Sequence, residues 1–392
     1  MDSHITGEFL PTTEEIEEMG RRVTGAVLGG GADRAAHYAE HGRWVYRPID
    51  EASRWVGTDY DHGNWTTGFW AGAMLHLAQL GCADDGLVER ARTLSAKLDC
   101  RVDDHGTHDI GFIFWPSAAL VARLFGDPAA ASSALRAAEV LAERRVPGSG
   151  HLQAFGAIGE DRSRPTSTID TMMNLPLLWW AHHHTGAPEW AETARAHADR
   201  TARSLLRPDG STYHLARIGD DGEAFWQGTF QGAADDSCWA RGQAWGIAGY
   251  LTMACETGSA EYGRIAARLL DYYCGSHDID ALTPYDLVVD TGIQDSSAAA
   301  IVCYGLALTL RKDPDLARLV GAEDRLTRIL RVLRRDALFQ DEVGVLAHAC
   351  YSAPHRLGMD GPLPYGDYYY LAALALARGV ADLVPGRAIN PG

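Results

Sequence analysis

The sequence predicts an all-α fold, an (α/α)6 barrel of six inner and six outer helices with small β-hairpins in its long loops. Three observations lead there. Twelve segments carry the 3.6-residue apolar period bounded by helix start and stop signals, at about 13–28, 64–81, 84–100, 110–125, 128–144, 170–185, 188–206, 237–257, 259–275, 292–311, 315–335 and 366–384. The even-numbered segments are rich in Trp, Ala, Gly and Leu and poor in charge, as helices buried on every side must be, whereas their partners are amphipathic. The connections alternate too: a short turn follows each apolar segment and a longer loop each amphipathic one. Segment lengths vary too much for a repeat solenoid.

Taken in order, the second segment contains NWTTGFWAGAML (Asn64 to Leu75) and closes with LGCADD before the amphipathic VERARTLSAKL (Val88 to Leu98). The fourth opens with HDIGFIFWPSA (His108 to Ala118). Its Pro116 is best tolerated in a first turn, so regular helix is expected to begin near it. The sixth, STIDTMMNLPLLWWAHHHTG (Ser167 to Gly186), is apolar all round from Met172 to Ala181, with Pro176 near its start. Strand signals sit in the long loop that follows the seventh segment, at STYHLAR (Ser211 to Arg217) and EAFWQGTF (Glu223 to Phe230). DDSCWARGQAWG (Asp235 to Gly246) opens the eighth. DTGIQDSS (Asp290 to Ser297) opens the tenth, with Thr291 and Gln294 in capping-box spacing. YGDYYYLAAL (Tyr365 to Leu374) begins the last. No Pro/Ser/Gly-rich linker interrupts the pattern, so one domain is expected over 1–392, with about residues 1–12 flexible.

With 46% hydrophobic and 22% charged residues, the composition is that of an ordinary globular protein. A net charge of −17 and the lack of a basic stripe argue against nucleic acid and against anionic membrane surfaces. The seven cysteines are odd in number, scattered and without CxxC spacing, which points to reduced thiols in a cytoplasmic protein and away from structural zinc. No signal segment, membrane-length apolar run, P-loop, dinucleotide fingerprint or GxSxG is present.

In such a barrel the inner-helix N-termini converge on the long-loop face and offer positive dipole ends to an anionic ligand. The residues at those heads are Trp65, Asp109, Asp170, Asp236 with Trp239 and Arg241, Asp290 with Asp295, and Asp367. Asp109 and Asp170 hold comparable positions on neighbouring inner helices. Each alone reads as an N-cap. As a pair on an apolar ring they suit glycoside chemistry, because two close carboxylates cannot easily both ionise and one becomes an acid. Arg241 and Trp245, four apart, share a helix face and can clamp a carboxylate while stacking on a sugar; the plainer reading is an Arg neutralising Asp235 or Asp236 beside a core Trp. His214 and Gln231 lie on or beside the loop strands, over the mouth. Trp65 suits a sugar platform and Trp70 the core. Asp295 has no role from the sequence, and Asp367 either ties the closing seam or faces the pocket. His182–His184 stand at the opposite end of the sixth helix, where solvated histidines suit the negative dipole end better than a metal does.

Five strings, HDIGFIF, STIDTMMNLPLL, DDSCWARGQAWG, DTGIQDSSAAA and GDYYYLAAL, together resemble glycoside hydrolase family 88, the unsaturated glucuronyl hydrolases, in order from about Asn64 to Leu374. The resemblance implies the (α/α)6 barrel and removal of a 4,5-unsaturated uronic acid from the non-reducing end of lyase-generated oligosaccharides. It implies hydration of the enol-ether double bond: the aspartate of IDTMMNLP, Asp170, protonates C4 and helps water add at C5, after which the hemiketal opens and expels the remaining sugar. Asp109 is implied to hold the sugar and tune Asp170. His214, Gln231, Arg241 and Trp245 match pocket-lining positions, with Trp65 stacking. Where many relatives have a Trp, this chain reads HLQAFGA, so Phe155 takes that place. No metal or organic cofactor is implied; the partner is the oligosaccharide, and the chain is expected as a monomer or homodimer. The rivals are an unsaturated rhamnogalacturonyl hydrolase with the same barrel and a non-catalytic sugar-binding barrel.

Overall fold

The computed structural model of the chain describes residues 10–28, 45–47, 56–57, 65–156, 166–219, 221–341 and 343–379. Most of the expected flexible leader, and the last predicted helix beyond 379, lie outside these residues.

The outer helices are α1 (Thr13–Leu28), α3 (Leu87–Lys97), α5 (Pro128–Glu143), α7 (Pro188–Ser204), α9 (Ala260–Ser276) and α11, made of Pro314–Leu319 and Ala322–Val332. The inner helices are α2 (Thr67–Leu80), α4 (110–125), α6 (Leu175–Thr185), α8 (Ala240–Thr257), α10 (Ser296–Lys312) and α12 (Pro364–Ala377). Each inner helix packs on the next, α2 on α4, α4 on α6, and so on to α12, which returns to α2 and closes the ring. This is the (α/α)6 barrel.

The residues explain the ring. The inner helices are buried almost all round: α8 from Ala240 to Ala254, α10 from Ser296 to Thr309, α12 from Pro364 to Leu376. They approach so closely that a Cβ on Gly111 of α4 would lie 2.7 Å from the Asn174 Cα, and one on Gly72 of α2 would lie 2.8 Å from the Pro116 carbonyl oxygen. Helices α2, α4, α6 and α8 each end at a glycine of positive φ (Gly81, Gly126, Gly186, Gly258), which turns the chain at once into the outer helix. Outer helices α5 and α9 start on side-chain caps: Asp127 accepts from the Ala129 and Ala130 amides ahead of α5, and Ser259 accepts from the Tyr262 amide ahead of α9.

Two local expectations change. Helix α4 begins at Ile110, before Pro116, and the proline sits in a π turn, Trp115–Ala119. The wider turn accommodates a residue that has no N–H. The capping box at Thr291 and Gln294 does not form. Thr291 Oγ1 accepts from the Ile293 amide at 3.3 Å within the preceding turn, and α10 starts after Asp295.

On the long-loop face, β1 (Val45–Arg47) pairs antiparallel with β2 (Val56–Gly57). A second sheet orders β3 (Thr166–Thr168), β4 (Leu215–Ile218) and β5 (Ala224–Gly228) as β3-β4-β5, all antiparallel. Thr168 faces Leu215 and Leu215 faces Gly228. One end of the sheet therefore carries the residues beside Asp170, His214 and the 229–231 turn to the same side of the mouth.

Candidate active site

Asp109 precedes α4, and its carboxylate makes no capping bond. Asp170 lies in the 3-10 turn Ile169–Met173, where again no side-chain cap forms. Neither aspartate is explained as a helix cap. What joins them is His108, a residue the sequence reading passed over. Its ring is buried, with Nδ1 2.7 Å from the Ala154 carbonyl and Nε2 2.9 Å from Asp170 Oδ2 and 3.3 Å from Asp109 Oδ1. A carbonyl only accepts, so Nδ1 carries a proton. Nε2 then faces two carboxylates, and the contact is favourable only when the trio holds one further proton. The signal in the sequence was the His directly before Asp109 in HDIGF.

The electrostatics divide that proton unequally. Burial pushes His108 down, but Asp109 and the hydrogen bond to Asp170 outweigh it and its pKa rises. Burial raises Asp109; the charge of His108 works against this and Asp170 adds to it. Burial also acts to raise Asp170, yet its hydrogen bond to His108, the charge of His108 and the imidazole of His214 bring it below the ordinary carboxylate value. The raised carboxyl is thus Asp109, not Asp170. The Asp109 and Asp170 side chains keep 18% and 17% of their surface open to the mouth, while Asp170 Oδ1 is a buried atom with no hydrogen-bond partner.

His214 sits just before β4. The Phe230 and Gln231 amides donate to its Nδ1 at 3.2 and 3.3 Å, so the ring is neutral with its proton on Nε2. Burial holds its pKa down at about 4. That Nε2–H faces Asp170 Oδ1 at 3.7 Å. Gln231 is held in place in turn: its side-chain amide donates to the Tyr351 carbonyl at 3.0 Å, and its own carbonyl accepts from the Tyr285 hydroxyl.

Arg241 is buried and committed. Nη1 donates to Asp295 Oδ2 at 2.5 Å and to the Cys350 carbonyl at 2.6 Å; Nη2 donates to the Tyr351 carbonyl at 2.6 Å. Its counter-ion is therefore Asp295. Asp235 and Asp236 are exposed, with Asp235 accepting from the Thr229 amide. The guanidinium lies over Trp239 at 4.5 Å and Tyr365 at 5.1 Å. Trp239 reaches it because it precedes α8 with extended backbone, outside the helical spacing rule. Trp245 is buried one turn deeper against Phe112 and Tyr369 and has no open face. Of the Arg241 donors, the Nε–H and one Nη2–H stay uncommitted.

Trp65 is half-buried, stacked on Tyr365 at 4.9 Å and donating from Nε1 to the Tyr351 hydroxyl at 3.0 Å. Trp70 is core. Phe155 is 44% exposed and sets its ring edge-on to His108 at 5.8 Å, so it lies at the mouth beside the carboxylates. Asp367 faces no pocket: it is fully buried and accepts from the Val345 and Leu346 amides at 3.0 and 2.9 Å, which ties the seam. Burial raises its pKa to about 7. Asp290 is exposed and caps its own turn by accepting from the Gly292 amide. At the other end of α6, His183 pairs with Glu256 and His184 stacks on Trp180.

A closed (α/α)6 ring whose long-loop mouth holds two carboxylates joined by an imidazole and rimmed with aromatic rings has the make-up of a glycosidase site. No family model matches the chain. It is 34% identical to the unsaturated glucuronyl hydrolase of Bacillus sp. (strain GL1) over 82% of this chain and 88% of that protein. It is 30% identical to the unsaturated chondroitin disaccharide hydrolase of Streptococcus pneumoniae, over 80% and 82%. The crystal structure of the Bacillus enzyme superposes with a TM-score of 0.81 at 30% identity, covering 94% of this chain and 98% of that one. The chain belongs to the unsaturated glucuronyl hydrolases, glycoside hydrolase family 88, and is an enzyme of the glycosidase class.

Proposed function

We propose that this enzyme removes a 4,5-unsaturated glucuronic acid from the non-reducing end of lyase-generated glycosaminoglycan oligosaccharides. The observation that carries the reading is the carboxylate pair bridged by His108 at a mouth with aromatic walls. Asp170 protonates C4 of the enol ether and takes a proton from the water that adds at C5. The hemiketal formed at C5 then opens and releases the remaining sugar. The proton given to C4 comes from His108, 2.9 Å from Asp170 Oδ2, by way of that oxygen, and the proton taken from water returns to His108 by the same route, so the trio ends as it began. Asp109, raised by burial and by the Asp170 charge, accepts from a sugar hydroxyl and, by competing for the proton on His108, tunes Asp170. His214 Nε2–H orients Asp170 Oδ1 or the attacking water.

The sugar carboxylate goes to the uncommitted Nε–H and Nη2–H of Arg241, whose charge is lodged beneath the mouth. Gln231 positions the turn above it. Trp65 and Phe155 offer ring faces to the sugar, and Trp245 backs the wall from behind. We place the enzyme in the cytoplasm, in keeping with seven cysteines that form no disulfide. Among the described residues no helix is long and apolar enough to cross a membrane.

The test is loss of the ultraviolet absorbance of the conjugated uronate. Turnover of unsaturated chondroitin, hyaluronan or heparin disaccharides is expected, with Asp170→Asn slower by roughly 10²–10⁴-fold. A preference for an unsaturated galacturonyl-rhamnose overturns the substrate class. An unchanged rate in Asp170→Asn overturns the assignment of the acid.

A further inference from the structure

The same three side chains that share a proton have the geometry of a cation site. We propose that His108, Asp109 and Asp170 capture one divalent transition-metal ion of the zinc class, and that the captured ion blocks the enzyme in competition with substrate. The inference rests on geometry alone and holds whichever sugar the enzyme accepts.

Metal–nitrogen and metal–oxygen bonds of about 2.0–2.1 Å at a tetrahedral angle place ligand atoms about 3.3–3.4 Å apart. His108 Nε2 stands 3.3 Å from Asp109 Oδ1 and 2.9 Å from Asp170 Oδ2, and one donor atom from each residue falls within a 4.8 Å set. The first separation needs no change and the second opens by about 0.4 Å. Closing the two carboxylates on an ion takes a side-chain rotation of a size that their open surface allows.

Support around the ligands is already present. The Ala154 carbonyl accepts from His108 Nδ1–H at 2.7 Å, the outer contact that fixes a ligating imidazole with Nε2 directed at the ion. Thr168 Oγ1, 3.2 Å from Nε2, supplies a fourth oxygen. Water entering from the mouth fills that position equally well. Asp170 Oδ1, buried and without a hydrogen-bond partner, adds a second oxygen on the same carboxylate. His214 is not a ligand, since its proton is on Nε2; it orients Asp170 from the side.

One imidazole and two carboxylates with room for a fourth ligand suit Zn²⁺ or Co²⁺, and offer too few oxygens for Ca²⁺. Among the described residues this is the one group of three or more such ligands so placed. The His182–His184 run, the sequence's more conspicuous histidine cluster, is spent on the Ala187 carbonyl, Glu256 and Trp180 in turn. An ion bound at the trio takes up Asp170 Oδ2, the oxygen that the proton must leave from. Inhibition therefore follows from binding.

The experiment is a Co²⁺ titration of the full chain, stripped of metal, followed by the visible ligand-field bands and by calorimetry with Zn²⁺. One ion per chain with tetrahedral-type bands is expected. Asp170→Asn, which is isosteric, and His108→Gln should each weaken binding by at least about tenfold, while His183→Ala leaves it unchanged. Zn²⁺ should inhibit wild-type turnover competitively, with recovery on adding a chelator. Binding as tight in Asp170→Asn as in wild type overturns the proposal, as does loss of the ion in His183→Ala or absence of the bands. Because the bands are read without substrate, failure of the proposed reaction leaves this test standing.

Discussion

Replacing Asp295 by Asn leaves the side-chain shape intact and removes one charge from a fully buried pair. Asp295 accepts from Arg241 at 2.5 Å, from Ser297 Oγ at 2.5 Å and weakly from the Cys350 amide. Its loss leaves the nearly buried Arg241 guanidinium without its counter-ion. Breaking a buried pair from one side costs roughly 3–5 kcal/mol, while removing both charges in favour of apolar groups of similar volume is often close to neutral. Asp295→Asn is therefore expected to cost about 3–4 kcal/mol, the retained hydrogen bonds from Ser297 and Cys350 keeping it off the top of the range. Arg241→Met combined with Asp295→Leu should cost less than the sum of the single changes by about 2 kcal/mol or more. The assay is a urea double-mutant cycle. A kinetic arm belongs with it, because Arg241 also holds the Cys350 and Tyr351 carbonyls and through them the hydroxyl that Trp65 donates to. KM should rise in Asp295→Asn more than kcat falls. A loss of stability under about 1 kcal/mol, or additivity in the cycle, refutes the account of Arg241 as a buried charge held by Asp295.

His108→Gln should lower kcat by about tenfold or more with a smaller change in KM, since glutamine keeps a polar contact but cannot carry the shared proton; equal loss in both parameters contradicts the assignment. Stability should fall as pH drops from about 6.5 towards 4.5. Burial holds His76, His151 and His214 near 4 and His197 near 3, so the unfolded chain binds more protons in that window and each histidine contributes a slope of up to ~1.4 kcal/mol per pH unit. Asp109, Asp295 and Asp367, raised by burial, oppose them there, while His277, also lowered by burial, adds to them. Five lowered histidines against three raised carboxyls leave a net loss, checked by urea midpoints at successive pH values; a flat profile refutes it. Gly111→Ala presses a methyl onto the Asn174 backbone and should cost about 1–3 kcal/mol along with activity, read by thermal unfolding and turnover. Phe155→Ala should raise KM while shifting stability by no more than about 0.5 kcal/mol, because the ring is exposed; an unchanged KM removes Phe155 from the binding surface.

The barrel was legible because it rests on patterns local to the chain. An inner helix buried all round needs apolar residues at every angle, an outer one only a stripe, and a short turn needs a glycine at the helix end. All three are written in consecutive residues. The heads of the inner helices were legible for the same reason, and with them Asp109 and Asp170. Pro116 shows where local rules stop: the sequence marks a helix break, and the packed ring accommodates it as a π turn.

Pairings across the ring were not legible. The sequence offers Asp235 and Asp236 as counter-ions for Arg241 because they lie five or six residues away. The fold instead supplies Asp295 from the next inner helix, and brings Trp239 rather than Trp245 under the guanidinium. His108 carried no periodic signal, only its place directly before Asp109 in HDIGF. Its place between two carboxylates exists only once α4 and the turn before α6 are side by side. By itself the sequence determined the fold and the place of the two candidate carboxylates, since helix periodicity and helix-head position are properties of neighbours along the chain. The tertiary structure alone decided which charges are paired, where the shared proton sits and which rings stay open, since those depend on distances between residues tens to hundreds of positions apart.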